Sequence, residues 1–187
     1  MRDKTAKMIR VITIPPIEAL AMLLILYGVR RTEFGDMNGL LLGILFLSAI
    51  PALAYPLSFK VKGKKEKRDN QRNIAFAFNF LSYLAGMMIG YIMRCSEMLQ
   101  WILLDYFLAV LILTIINKVF HIKASGHACS CTLPYLFLSN YLGIYVAGIC
   151  LVLYLMELWA SVELKRHTVK EFLLGCLVAG MVFVVTM

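Results

Sequence analysis

Apolar positions fall into seven long runs along this chain, separated by short polar breaks. The first covers about residues 11–29 and carries Pro15 and Pro16 near its start, a pair that fixes or kinks its first turn. The second, about residues 38–59, holds Pro51 and Pro56, breaks that neighbouring helices tolerate inside a membrane. A polar stretch at residues 60–72 follows, with seven cations and two anions. The third and fourth runs lie at about residues 73–93 and 98–118. After a linker at 121–126, a shorter fifth run reaches about Ser139. Asn140 and Gly143 permit a tight turn into a sixth run that ends near Leu164, and the seventh goes from Thr168 to Met187. Runs near 20 apolar residues have the length of transmembrane helices, and no alternation of period two predicts strands. The expected fold is all-α. It is a polytopic transmembrane helical bundle of six to seven spans in one integral membrane domain, 1–187, with N-terminal spans in 1–97 and a chemically active core in 98–187.

Composition narrows the field further. With 61% hydrophobic and only 16% charged residues, a soluble domain of 187 residues has no place to hide the apolar surface. The first run is long and lacks a small-residue cleavage site, so it is expected to be a retained span rather than a signal peptide. The net charge of +8 does not point to nucleic acid, because membrane proteins collect Lys and Arg in their cytoplasmic loops. Five cysteines, mostly within apolar runs, read as small hydrophobes and not as a disulfide framework. With the N-terminus inside, sixteen of the nineteen Lys and Arg residues fall on cytoplasmic segments, leaving Arg30, Arg31 and Arg94 outside. That bias predicts N-terminus in and C-terminus out, in the cell membrane, with the breaks before the fifth and seventh runs opening on the cytoplasm.

Those two breaks hold the candidate chemistry. In Lys123-Ala-Ser-Gly-His127, Ser125 is a favoured N-cap and Gly126 lets a ligand approach the backbone. A helix starting there aims free N–H groups at the head-group layer, and His127 beside it can give up a proton. In Arg166-His-Thr-Val-Lys-Glu171, Lys165 and Arg166 can clamp a dianion. Glu171 lies one helical turn after His167 and can hold its imidazole. Thr168 and Glu171 also match a capping box, an alternative use of the same glutamate. Glu18, Asp105 and Glu157 each cost about 2.5–3.5 kcal/mol at a helix centre and are expected to face the bundle interior. Cys129 and Cys131 are too close in sequence to share one helix face, so no metal site is expected.

Together the two breaks resemble the type 2 phosphatidic acid phosphatase superfamily, whose members carry Lys-x6-Arg-Pro, then (Pro)-Ser-Gly-His, then Ser-Arg-x5-His-x3-Asp. Ser125, Gly126 and His127 match the middle motif, with Ala124 for its proline. Residues 159–171 align with the third, with His167 as the histidine, Glu171 for the aspartate, and Ala160 and Ser161 where Ser-Arg is usual. Lys118 stands for the first motif's lysine, with no Arg-Pro after it. The resemblance covers about residues 117–180 and implies a metal- and cofactor-independent hydrolase acting on a lipid phosphate. It implies His167 as nucleophile through a phosphohistidine, His127 as acid, and phosphate contacts from Lys118, Lys123, Ser125, Gly126, Lys165 and Arg166. The missing arginine motivates a second expectation, a non-catalytic protein that binds or moves anionic lipids.

Overall fold

The computed structural model describes residues 2–59 and 66–187, and the described chain is helical throughout apart from turns and short links. A first helix, α1 (Arg2–Ile12), precedes α2 (Pro15–Val29), and the two meet at a bend of 53°. The break has a local cause. Ile14 precedes a proline, which excludes it from the helical region, and it sits extended at φ −70°, ψ 140°. Pro15 and Pro16 then occupy the first turn of α2, where a missing N–H costs nothing. The carbonyl of Pro16 also accepts a hydrogen bond from Ser48 Oγ at 2.7 Å.

A single turn, α3 (Arg31–Phe34), leads into the second run. That run is continuous: α4 (Met37–Ile44), a π-helical turn at Leu45–Ala49, and α5 (Ile50–Phe59). The expected polar hinge at 60–72 lies partly outside the described residues. From Glu66 the chain is already helical, in α6 (Glu66–Ile92). α7 (Glu97–Lys118) is capped by Ser96, α8 (Gly126–Leu142) by Ser125, and α10 (Val169–Thr186) by Thr168. Between α8 and α9 (Ile144–Glu163) the chain reverses at Gly143, whose φ of +87° is open to glycine at little cost.

Among the described residues five helical stretches are long and apolar enough to cross a membrane, and a sixth is added if the bent pair α1–α2 crosses as one span. α8 is shorter and more deeply packed, with α2, α7, α9 and α10 against its sides. The bundle is therefore built around α8, while α6 and α9 turn broad apolar faces outward, as a lipid-facing helix must. Glu18, Asp105 and Glu157 point inward as expected, at 8%, 0% and 2% exposure.

Candidate functional site

The loop ahead of α8 is held by one side chain. Asn117, buried near the end of α7, accepts from the Ala124 N–H at 3.2 Å and donates from Nδ2 to the Ala124 carbonyl. A buried amide bracketed this way fixes the backbone just before Ser125. Ser125 is fully buried. Its Oγ accepts from the Ala128 N–H at 3.2 Å, and its own N–H donates to the Glu171 carbonyl at 2.9 Å. That last bond ties the start of α8 to the start of α10. Gly175 makes the approach possible, because a Cβ there would lie 2.3 Å from the Ser125 carbonyl oxygen. Local capping thus brings the two motif-bearing helix ends side by side.

The capping box at Thr168 is formed in full, and the glutamate serves both uses expected of it. Glu171 Oε2 accepts from the Thr168 N–H at 3.1 Å and lies 3.4 Å from His167 Nδ1. The contact turns the Nδ1 side of the His167 ring toward Glu171. His167 and His127 border the same cavity, of about 280 Å³, with Arg10 and Ser130. Gly126 lines it too. From there the cavity follows α7 from Leu113 to Tyr106, about 10 Å at 1.5 Å per residue, between Pro16, Phe76 and Tyr83. It is polar where the helix ends meet and apolar within the bundle. His127 is half-buried; burial foremost, then the charges of Arg10 and His167, hold its pKa below the usual imidazole value.

The cations expected to bind phosphate sit elsewhere. Lys118 is exposed and donates from Nζ to Asn73 Oδ1, and Lys123, Lys165 and Arg166 are exposed and do not line the cavity. Arg10 does line it. α1 packs along α9, and Arg10 Nη1 donates to Ser161 Oγ at 3.0 Å. Ser161 is the residue aligned with the third motif's arginine. A guanidinium therefore reaches that region from 151 residues away. The only sequence signal for it was a basic residue at the boundary where a polar helix meets the Pro-Pro break.

A second polar group lies deeper. Tyr135 OH bridges the carboxyl groups of Glu18 on α2 and Glu157 on α9, and Cys131 lies against both glutamates. His127, Cys131 and Glu157 each bring one ligand-capable atom to within 4.8 Å of the others. The sequence argument weighed Cys129 with Cys131. The structure instead groups Cys131 with the histidine one turn before it and a glutamate from another helix.

The chain matches no protein-family model, no curated protein and no solved structure.

Proposed function

We propose that this protein is a membrane-embedded phosphatase that hydrolyses a lipid phosphate or diphosphate monoester, of the kind exemplified by phosphatidic acid or a polyprenyl diphosphate. The observation that carries this reading is the cavity: two histidines and an arginine at one end, an apolar channel into the bundle at the other. A phosphate dianion fits the first environment and a hydrocarbon chain the second. The resemblance of residues 117–180 to the phosphatidic acid phosphatases points the same way.

In the proposed reaction His167 attacks phosphorus through Nε2, with Glu171 holding Nδ1 and stabilising the positive ring that forms. The P–N bond forms as the P–O ester bond breaks. His127 delivers its proton to the departing alkoxide, a step worth about 10²–10⁴ in rate. A water molecule then gives a proton back to His127 and attacks the phosphohistidine, releasing phosphate and restoring both rings. Burial, Arg10 and His167 disfavour the His127 cation. A bound phosphate dianion reverses that balance, so the acid is armed by its substrate. Arg10 supplies the charge on the phosphoryl oxygens. The basic bias of the loops at this end favours a cytoplasmic opening.

The test is phosphate release from a panel of lipid phosphates by detergent-solubilised protein, with His127→Ala and His167→Ala beside the wild type. Release by wild type, abolished in His167→Ala and strongly reduced in His127→Ala, supports the proposal. Tight binding of lipid phosphate without release from any panel member overturns it in favour of a lipid-binding protein.

A further inference from the structure

We infer that His127, Cys131 and Glu157 form a binding site for a transition-metal dication of the zinc class, directly beneath the two-histidine cavity. His127 and Cys131 are four residues apart on α8 and so share a helix face, while Glu157 enters from α9. Their three ligand atoms lie within 4.8 Å of one another. Zinc binds imidazole nitrogen, thiolate sulfur and carboxylate oxygen at about 2.0–2.3 Å, and the spacing of the three atoms is compatible with one shared ion. This nitrogen, sulfur and oxygen set suits zinc and disfavours magnesium or calcium, which take oxygen ligands.

A second observation points independently to a cation. Glu157 and Glu18 are both more than nine-tenths buried, and the Oε2 atom of each has no hydrogen-bond partner. Their Oε1 atoms share the single phenol of Tyr135. One phenol has one proton, so only one of these two bonds can be donated by Tyr135. The arrangement closes when one glutamate donates its acid proton to Tyr135 and Tyr135 donates to the other, ionised one. That leaves a buried carboxylate with a bare oxygen beside a thiol, a costly group unless a cation meets it. On binding, Cys131 loses its thiol proton to solvent and the sulfur–metal bond forms. Thiolate, carboxylate and dication then sum to zero charge, with His127 neutral.

His127 cannot hold the ion and serve the phosphoryl group at the same time. Zinc at this site therefore inhibits phosphate release, a consequence that rests on the phosphatase reading, whereas the binding itself does not.

The experiment uses the full chain, purified in detergent without a polyhistidine tag and titrated with Co²⁺ as a spectroscopic substitute for Zn²⁺. We expect one ion per chain and a thiolate-to-cobalt charge-transfer band in the near ultraviolet, removed by added Zn²⁺. The band is lost in Cys131→Ser and kept in Cys95→Ser, whose thiol lies in the link between α6 and α7. Glu157→Gln weakens binding at least about tenfold. A wild-type protein that binds no stoichiometric Co²⁺ overturns the inference without recourse to any variant. A band unchanged in Cys131→Ser, or lost equally in Cys95→Ser, overturns it too. In parallel, Zn²⁺ should suppress phosphate release and chelation restore it. Absence of release on every lipid sinks the phosphatase reading and leaves the cobalt spectrum to decide the metal site; a featureless spectrum with intact release does the reverse.

Discussion

Arg10 and Ser161 meet through a 3.0 Å hydrogen bond that joins the first helix to the ninth, and the bond puts a guanidinium at the mouth of the histidine cavity. The sequence position aligned with a phosphate-binding arginine is a serine, and the serine receives an arginine from elsewhere. A short polar side chain at 161 leaves the room that the guanidinium occupies.

Arg10→Ala is expected to lower phosphate release about 10²–10³-fold, the usual cost of removing one transition-state donor. Arg10→Lys should recover only part of it, because an ammonium lacks the planar fork that matches two phosphoryl oxygens. Lys165→Ala, with its side chain exposed outside the cavity, should change release by less than about threefold. Rates from detergent-solubilised protein on one lipid phosphate decide this, and equal losses at positions 10 and 165 would remove Arg10 from the site.

Glu171 can be split into its two jobs. Glutamine at the same place keeps the capping box but has no charge to offer His167. Glu171→Gln should therefore leave stability within about 0.5 kcal/mol while lowering kcat about 10- to 100-fold. Thr168→Ala should do the opposite, costing about 1 kcal/mol of stability with a smaller effect on rate. Thermal unfolding and kcat measured on the same preparations separate the two.

Gly175→Ala places a methyl group 2.3 Å from the Ser125 carbonyl, a backbone atom that cannot swing aside. α10 must retreat from α8, which stretches the Ser125–Glu171 hydrogen bond and moves His167 away from His127. A loss of about 1–3 kcal/mol is expected, with activity falling further than stability. Gly148→Ala, where no atom lies within 4 Å of the added methyl, should be near neutral in unfolding experiments.

Sidedness can be read from two introduced thiols. Lys123 and Asn140 are exposed near opposite ends of the stretch that contains α8, whereas Ser125 is too buried to label. A membrane-impermeant maleimide added to intact cells should reach Lys123→Cys only after permeabilisation and Asn140→Cys before it. The reverse pattern would put the cavity on the outer face.

Local chemistry made much of this legible in advance. The Ser125 and Thr168 caps, the turn at Gly143 and the inward acids Glu18, Asp105 and Glu157 each follow from a preference acting over a few residues. α1 did not, because four cations in its eleven residues interrupt any apolar run and its partner, α9, lies far away in sequence. Arg10 escaped for the same reason: an interaction spanning 151 residues leaves no spacing to recognise. Cys131 with Glu157 is a similar case. Periodicity places His127 and Cys131 on one face, but only packing reveals which helix that face meets.

α8 has seventeen residues, a length of about 25 Å, and its Gly143 end turns directly into the long helix α9. A hydrocarbon layer is about 30 Å thick, so the central rod of the bundle falls about 5 Å short of it. On the phosphatase reading, a bilayer thinned over the histidine pair, or a phosphate drawn below the plane of its neighbours, makes up the difference. On that reading, the lipid substrate begins to leave its leaflet before any bond is broken.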